Sequence, residues 1–333
     1  MKTKALRNNS IKIGNLRLDS ILAAAPLAGI TDTVERQIIR KFSKNCLITT
    51  EMLSSEALVN NPRGAILEST PAESPLAFQL VGHKPDIMLK AAKIIEDRAD
   101  IIDINMGCPV NKVFKGNDGS ALMKTPELAA LIVKTLKDNI EKPITIKCRL
   151  GINSENKNFI EFVQLMQHSG ADAVTLHART RSQMYNGKAD WDAIKALKQN
   201  VDIPVFANGD IVDIDSAIKC LEITNADGLA IGRGMIGNPF LFREIEHFML
   251  TGEKLPPPNL SEKMSVLTEH LNQEIALRGE LNGIKFFRKF YSYYIFGIKN
   301  AAIYRGRLVR EENYDNIISI LNEIITGAED VHI

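Results

Sequence analysis

A cysteine lies where an apolar segment of the chain ends in a turn. The segment Ile101–Met106 is mostly apolar and is followed by Gly107-Cys108-Pro109, which predicts a buried strand that stops at a thiol. A free thiol with a pKa of about 8.5 is mostly protonated at neutral pH and can donate a proton, whereas a neighbouring base would make it a nucleophile. Residue type alone leaves both roles open, beside that of an inert packing thiol.

A lysine occurs inside a second apolar segment, Ile144–Arg149. Alternation along a strand places Lys147 and Arg149 on the face opposite the isoleucines. A buried ammonium group is costly unless it meets an anion. We therefore expect an anionic ligand at Lys147, or a structural ion pair with Glu51 or Asp103.

Glycine-rich turns follow the last two predicted strands, and they read Asn208-Gly209-Asp210 and Gly232-Arg233-Gly234. Backbone N–H groups in such turns bind phosphate in many barrels, and Arg233 adds positive charge. His177 ends the preceding strand, and the basic residues after it suit an anionic ligand, although a lone histidine is more often a core residue. A metal site is not predicted, because no His, Asp or Glu cluster has ligand spacing.

These residues lie near the ends of eight apolar segments that alternate with segments of helical spacing. Eight strand–helix units over roughly 230 residues predict an α/β fold, a (β/α)8 TIM barrel whose strand C-termini converge on one face. An open doubly wound sheet is the alternative, but no Gly-x-Gly-x-x-Gly follows the first strand. The predicted strands are Ile21–Ala28, Leu47–Met52, Pro75–Val81, Ile101–Met106, Pro143–Leu150, Ala173–His177, Ile203–Ala207 and Gly228–Ile231. The predicted helices include Thr33–Phe42, Asp86–Arg98, Pro126–Lys137, Phe159–Gln167 and Ile214–Leu221.

The chain is predicted to divide into a barrel, a linker and a helical domain. Residues 1–250 form the barrel and begin with a short hairpin at Ile11–Leu18. Residues 251–258 form a stiff Pro-rich linker, and residues 259–333 form an all-helical domain.

Two segments are locally basic although the net charge of the chain is only +1. The interval after the fourth strand is long, and its extra residues Val110–Lys124 predict a lid that carries Lys112 and Lys115 over the active face. Lys285–Arg310 holds no acidic residue, and aromatic residues are interleaved with its cations. This pattern favours a polyanionic partner with unpaired bases, although the aromatic residues also suit the core of a helical domain. The cations are Lys285, Arg288, Lys289, Lys299, Arg305, Arg307 and Arg310.

Composition argues against several classes of protein. Hydrophobic residues make up 45% of the 333 residues, and no apolar run approaches the roughly 20 residues of a membrane span. Four cysteines without a Cys-x-x-Cys pair indicate neither a disulfide framework nor a zinc site. Residues 1–9 are polar and basic with no apolar core behind them, so no signal peptide is predicted and the cytoplasm is the expected compartment.

Eight short motifs occur in order along the chain. They are Ala25-Pro-Leu-Ala-Gly-Ile-Thr-Asp32, Phe78-Gln79-Leu80, Asp103-Ile-Asn-Met-Gly-Cys-Pro109, Lys112 with Gly119-Ser-Ala-Leu122, Ile146-Lys-Cys-Arg149, Leu176-His-Ala-Arg179, Asn208-Gly-Asp-Ile211 and Ile231-Gly-Arg-Gly234. Together they resemble the tRNA-dihydrouridine synthases, and the bacterial B-type branch is the nearest. The combination is specific, whereas any one of these motifs alone is not.

The resemblance implies a flavin-binding barrel followed by a helical tRNA-binding domain. FMN would be held by the residues that match the family's flavin site: Pro26, Leu27 and Ala28 behind the ring, Gln79 at its polar edge, Lys147 at its N1/O2 side, His177 beside it, and Asn208, Gly209, Asp210, Gly232 and Arg233 at the ribityl chain and phosphate. Cys108 matches the family's proton donor. Substrate contacts are predicted for Asn105 at the uracil and, on the RNA side, for Lys112, Lys115, Arg149, Arg179, Lys285, Arg288, Lys289 and Arg305.

The resemblance also implies a reaction. NADPH would reduce FMN, a hydride would pass from the reduced flavin to C6 of an unstacked uridine in tRNA, and Cys108 would protonate C5. Lys147 would stabilise the negative charge of the reduced flavin. The expected partners are tRNA and NADPH, with no membrane or metal, and a monomer is expected.

Two motifs depart from the family, and both concern RNA docking rather than the reaction. Arg288-Lys289-Phe290 stands where Arg-Lys-His is frequent, and Gly116-Asn117-Asp118-Gly119 stands where the lid often reads Asn-Gly-Ala-Gly. A flavin barrel acting on a free pyrimidine, of the dihydroorotate dehydrogenase kind, would share the site but gives no reason for Lys285–Arg310. A tRNA-binding protein without turnover would need neither Cys108 nor Lys147.

Overall fold

The strands of the fold are short and lie within or close to the predicted segments. The computed structural model describes residues 10–62 and 68–329, and the predictions for residues 1–9 and 330–333 lie outside that part of the chain. The strands are β1 (Ile11–Ile13), β2 (Leu16–Leu18), β3 (Leu22–Ala24), β4 (Leu47–Thr49), β5 (Leu53–Ser54), β6 (Leu76–Val81), β7 (Ile101–Met106), β8 (Ile144–Arg149), β9 (Ala173–His177), β10 (Val205–Asn208) and β11 (Gly228–Ile231).

Parallel pairing closes these strands into a barrel. Across the described residues the order is β4-β3-β11-β10-β9-β8-β7-β6, and β4 also pairs with β6 to close the ring. Strand β5 pairs with the C-terminal end of β6, so it continues the line of β4. The predicted (β/α)8 TIM barrel is confirmed, and β1 and β2 form the predicted antiparallel hairpin.

The second barrel strand is interrupted, whereas the sequence predicts one segment over Leu47–Met52. The Thr50 hydroxyl accepts the backbone N–H of Gln79 at 3.1 Å. The Gln79 N–H therefore bonds a side-chain hydroxyl instead of a backbone carbonyl of the neighbouring strand, and the regular backbone pairing stops at that point. The break turns Met52 toward a cavity at the mouth of the barrel.

Helices connect the strands and then form the C-terminal part of the chain. Helix α1 begins at Asp32, whose side chain accepts the Glu35 N–H as the predicted N-cap. Helices α2, α4, α7 and α9 lie outside the helical segments named from the sequence. In the described residues no helix combines the length and the apolar character that crossing a bilayer requires. The helices are α1 (Thr33–Phe42), α2 (Ser55–Asn60), α3 (Pro85–Ile95), α4 (Asn111–Lys115), α5 (Pro126–Lys137), α6 (Phe159–His168), α7 (Trp191–Lys198), α8 (Ile214–Thr224), α9 (Phe240–Thr251), α10 (Leu260–Arg278), α11 (Glu280–Tyr294), α12 (Ala301–Leu308) and α13 (Tyr314–Glu329).

The insertion Val110–Lys124 has two halves of different character. Its first half contains the short exposed helix α4, which carries Lys112 and Lys115. Its second half is a 3₁₀ helix over Gly119–Lys124, most of which is buried. Only the first half therefore has the exposure that the predicted lid needs.

The four C-terminal helices pack against the barrel through a shared apolar core. Ile38 of α1, Phe240 of α9 and Ile236, which precedes α9, belong to the same buried cluster as side chains of α10, α11 and α13. An ion pair between Arg278 and Asp32 (2.5 Å) adds to this contact. The division of the chain into a barrel, a linker and a helical domain stays a prediction, and the structure shows the helices seated on α1 and α9.

Candidate active site

A cavity of about 670 Å³ opens at the C-terminal ends of the barrel strands. It is lined by every residue that the sequence predicts to bind the flavin, and also by the predicted proton donor, Cys108. The predicted residues that line it are Pro26, Leu27, Ala28, Gln79, Asn105, Cys108, Lys147, Arg149, His177, Asn208, Gly209, Asp210, Gly232 and Arg233. Residues from seven strand ends thus share one volume, as expected of a barrel.

Strand register explains why these side chains meet. Asn105 on β7 lies beside Lys147 on β8. One level nearer the mouth, Arg149 lies beside His177 of β9, and His177 lies beside Asn208 of β10. Because side chains alternate between the two faces of a strand, this register points all five toward the barrel interior.

The backbone of Cys108 is held from both sides. Its N–H donates to Asn105 Oδ1 at 2.9 Å, and its carbonyl accepts from Ser120 Oγ at 2.8 Å. Partial burial raises the pKa of the Cys108 thiol, although the charges of Arg149 and Lys147 act in the opposite direction. The thiol therefore stays protonated at neutral pH, which suits a proton donor better than a nucleophile.

Lys147 lies in the same cavity and has no acidic partner there. Burial lowers its pKa from 10.5 to about 8, and repulsion from Arg149 adds to the effect. No ion pair of Lys147 occurs among the described residues, since Glu51 accepts from the Gly29 N–H and Asp103 accepts from other side chains. The structural ion pair that the sequence allowed is not formed. An anionic ligand would relieve the cost of this buried cation.

His177 is neutral in this environment. Burial, and then the positive charges around it, hold the pKa of its imidazole far below the ordinary value. Its Nε2 lies 3.4 Å from Arg179 Nη1. Since a guanidinium only donates, Nε2 is the accepting nitrogen and the ring proton is assigned to Nδ1.

Arg179 lies behind the cavity wall rather than on a surface that RNA can reach. Its side chain is about 2% exposed, and its Nη2 donates to Asp210 at 2.7 and 2.8 Å. Asp210 sits at φ +57°, where a residue other than glycine is strained. The ion pair holds it there, so Arg179 is a positioning residue and the predicted RNA contact is corrected.

Gly209 and Arg233 lie beside Asp210, in the two turns that the sequence predicts to bind an anion. Gly209 has φ +125°, and a Cβ there would lie 2.9 Å from Ala189 Cβ, so only glycine lets the chain pass. Arg233 is exposed to the cavity, with its guanidinium 3.4 Å from Asp210. Although partial burial acts against ionisation, hydrogen bonds from Ala189 and Arg179 lower the pKa of Asp210. Its carboxylate therefore orients the arginines, while the turn and Arg233 face the cavity.

Two aromatic residues at the mouth were not predicted as site residues. Tyr185, on the loop after β9, lines the cavity with the guanidinium groups of Arg149 and Arg233 5.7 and 5.2 Å from its ring centre. Tyr293, at the end of α11, also lines the cavity and is 44% exposed. The sequence holds one usable signal, a single aromatic residue in the basic loop after His177. Nothing local distinguishes Tyr293 from its buried neighbours.

The cations predicted to bind RNA fall into different environments. Lys285 and Arg288 both pair with Glu312, at 3.4 and 3.1 Å. The absence of acids within the basic segment therefore does not leave all of its cations uncompensated, because the acid follows just beyond its end. Lys289 bonds the Gly29 carbonyl and lies at the junction with the barrel.

Other cations remain available to a polyanion. Lys299 and Arg305 are exposed and form no ion pair with any described residue. Lys112 and Lys115 are exposed on α4, close in sequence to Cys108. Half of the eight interleaved aromatic residues, including Phe287 and Phe290, are buried in the helical core, and Tyr293 and Phe296 are exposed.

Metal ligands are not clustered in the part of the chain that the structure describes. There, no group of three or more His, Cys, Asp or Glu side chains is arranged to hold a metal ion.

Comparison with known proteins gives consistent matches. The family model described as "Dihydrouridine synthase (Dus)" matches residues 22–324. The chain is 40% identical over 321 residues to a probable tRNA-dihydrouridine synthase 1 from Synechocystis sp., covering 96% of this chain and 90% of that protein. It is 41% identical over 288 residues to tRNA-dihydrouridine synthase B from Yersinia pestis, with 86% and 89% covered.

A solved structure supports the fold alone. The old yellow enzyme homologue from Zymomonas mobilis superposes with a TM-score of 0.51 at 12% identity, covering 77% of this chain and 95% of that one.

Proposed function

The chain belongs to the dihydrouridine synthase family, and on that premise we propose that it reduces specific uridines in tRNA to 5,6-dihydrouridine, with bound FMN and with NADPH as the reductant. The observation that carries the proposal is the pairing of Cys108 and Lys147 in one cavity. One is a thiol that burial keeps protonated, and the other is a cation without a protein counter-ion.

The residues present fit a flavin mononucleotide. Gly209, Gly232 and Arg233 form one end of the cavity, where a close-passing backbone and a guanidinium suit a phosphate. Lys147, deeper in the barrel, suits the pyrimidine side of a flavin ring, and the apolar turn Pro26-Leu27-Ala28 suits its face. When bound, the reduced flavin supplies a hydride to the substrate. NADPH rather than NADH is proposed from the family alone.

Cys108 supplies the proton of the reaction. Uracil C5 takes up a proton as C6 takes up the hydride, and the Cys108 S–H bond is the one that breaks. A thiol with a raised pKa holds that proton at neutral pH. The charges of Arg149 and Lys147 favour the thiolate that remains, so the same environment supports both states.

Aromatic side chains at the mouth suit an unstacked nucleotide. A uridine must leave the RNA stack to enter the cavity, and a ring beside the entrance replaces part of the lost stacking. Tyr185 and Tyr293 lie at that entrance. The exposed cations Lys299 and Arg305 lie beyond Tyr293 in the same helical region and would meet phosphates of the RNA.

The test uses purified protein, NADPH and an unmodified tRNA transcript. We expect flavin absorbance in the protein, oxidation of NADPH that depends on tRNA, and dihydrouridine in the RNA. Free uracil, uridine and orotate serve as competing substrates. Turnover of a free pyrimidine without turnover of tRNA would replace the proposal by the free-base alternative, and binding of tRNA by a colourless, inactive protein would refute catalysis.

A further inference from the structure

A relay of buried hydrogen bonds runs from the barrel interior to the backbone of Cys108. The carboxylate of Asp103, which is 6% exposed, accepts from Gln79 Nε2 at 2.7 Å and from Thr145 Oγ1 at 2.6 Å. Gln79 Oε1 accepts from Asn105 Nδ2 at 2.7 Å. Asn105 Oδ1 then accepts the Cys108 backbone N–H at 2.9 Å. Asp103 is therefore connected to the thiol residue through two amide side chains.

The direction of each bond in the relay is fixed at both ends. Backbone N–H groups only donate, so Asn105 must turn its oxygen toward Gly107 and Cys108 and its NH2 toward Gln79. A carboxylate accepts, so Asp103 draws the Gln79 NH2 and leaves the Gln79 oxygen for Asn105. Both ends impose the same orientation, and a flipped amide would leave buried donors and acceptors unpaired.

We propose that Asp103 is a positioning residue for the thiol of Cys108, acting through Gln79 and Asn105. Ser120 holds the Cys108 carbonyl from the opposite side, and the relay holds its N–H. Without the carboxylate, Gln79 is free to turn, Asn105 loses its acceptor, and the Gly107–Cys108 turn loosens. The consequence for catalysis rests on the proposed function, because displacing a proton donor by about 1 Å costs on the order of 100-fold in rate.

A second role for Asp103 must be separated from this one. Its negative charge also acts on Lys147, whose pKa it raises against the larger effects of burial and Arg149. Asp103→Asn and Asp103→Leu both remove that charge and keep the branched shape of the side chain, although the methyl groups of leucine are larger than the oxygens that they replace. Only the asparagine retains an oxygen that can accept from Gln79. The difference between the two variants therefore measures the relay.

The test is alkylation of the flavin-loaded protein by iodoacetamide. Cys46, Cys148 and Cys220 are fully buried, so the fast reaction reports on Cys108. We expect a rate close to wild type for Asp103→Asn and a several-fold faster rate for Asp103→Leu. Equal rates in the two variants would overturn the proposal.

A kinetic measurement accompanies the alkylation. The two variants are expected to accept electrons from NADPH equally fast, whereas single-turnover reduction of tRNA uridine by the pre-reduced protein falls roughly tenfold or more in Asp103→Leu relative to Asp103→Asn. Flavin reduction that differs between the two variants while uridine reduction does not would refute the positioning role.

Gln79→Met keeps the test available if Asp103→Leu does not fold. It breaks the relay one step nearer the thiol, and faster alkylation of Cys108 is expected when wild type and variant are compared at the same FMN occupancy, which is set by adding FMN. Alkylation at the wild-type rate would contradict the relay. Wild-type protein that forms no dihydrouridine would refute the proposed function and leave the alkylation comparison intact.

Discussion

Burial shifts the pKa values of the two central side chains of the site in opposite directions. It raises the pKa of the Cys108 thiol and lowers the pKa of Lys147 to about 8. At neutral pH the thiol is therefore neutral and the lysine is charged, so a proton and a positive charge are available in one cavity. The thiol shows how residue type leaves the role open and environment decides it.

Substitution of the thiol should separate the two half-reactions. For Cys108→Ala we expect full flavin content and single-turnover reduction of the flavin by NADPH at the wild-type rate, with dihydrouridine formation lowered by roughly 100-fold or more, as for loss of a general acid. Cys220→Ala, which removes a buried thiol of α8, is the matched control and should keep activity. The readout is dihydrouridine per tRNA. Full activity of Cys108→Ala would exclude the thiol as proton donor.

Lys147 should leave a signature in the pH dependence of stability. In the flavin-free protein its pKa is about 8, below its unfolded value of 10.5. Between those values the unfolded chain binds more protons, so Lys147 makes the free energy of unfolding rise with pH across that window. Lys147→Met should lack this increment in urea titrations between about pH 8 and pH 10. Identical profiles for the two proteins would show that Lys147 titrates normally.

At the scale of elements, one glycine seats α11 at the barrel mouth. Gly237 has φ +64°, and a Cβ there would lie 2.8 Å from both Tyr293 Cβ and the Tyr294 backbone nitrogen. Gly252 has a similar φ of +77° but open space around it. Comparing the two glycines separates the stability lost through a side chain in the left-handed backbone conformation from the stability lost through steric overlap with α11.

Alanine at these two glycines should therefore behave differently. Gly252→Ala should cost about 1 kcal/mol of stability, the usual penalty of left-handed backbone. Gly237→Ala should cost at least about 1 kcal/mol more through overpacking. It should also raise the KM for tRNA, because Tyr293 is displaced. Thermal unfolding and steady-state kinetics give both quantities, and equal losses with an unchanged KM would contradict the seating of α11.

The elements also show what sequence could and could not predict. The strand ends could be predicted from the sequence, because apolar alternation and Gly or Pro breaks are local patterns. The predicted strand ends in turn located the residues around Cys108, Lys147 and His177. The interruption after Thr49 could not be predicted from the sequence, since it depends on the Thr50 hydroxyl accepting the backbone N–H of Gln79, which lies on another strand. The buried position of Arg179 depends likewise on Asp210, a residue far along the chain.

At the scale of the molecule, part of the positive charge of Lys285–Arg310 is neutralised by acidic residues outside that segment. Glu312 and Glu323 lie outside Lys285–Arg310 and neutralise part of it, which no window confined to that segment reveals. Lys299 and Arg305 are exposed and form no ion pair with a described residue, and Tyr293 of the preceding helix lines the cavity. The described part of the chain thus presents a cavity at the barrel mouth and, in its helical part, exposed cations that a polyanion can bind.

Two arginines of α12 test this surface directly. Arg305 has no ion pair among the described residues, whereas Arg307 pairs with Glu323 at 2.5 Å. Arg305→Gln should weaken tRNA binding and make the dependence of log affinity on log salt less steep by roughly one. Arg307→Gln should change the slope less. Equal changes in salt titrations of tRNA binding would show that the pairing does not decide which arginine meets RNA.

The central claim is that this chain makes dihydrouridine in tRNA by way of Cys108. The most direct measurement maps dihydrouridine by position in cellular tRNA with the gene present, deleted, and restored as wild type or as Cys108→Ala. We predict that at least one position loses dihydrouridine on deletion, regains it with the wild-type gene, and does not regain it with Cys108→Ala. An unchanged pattern on deletion, or full restoration by Cys108→Ala, would contradict the account.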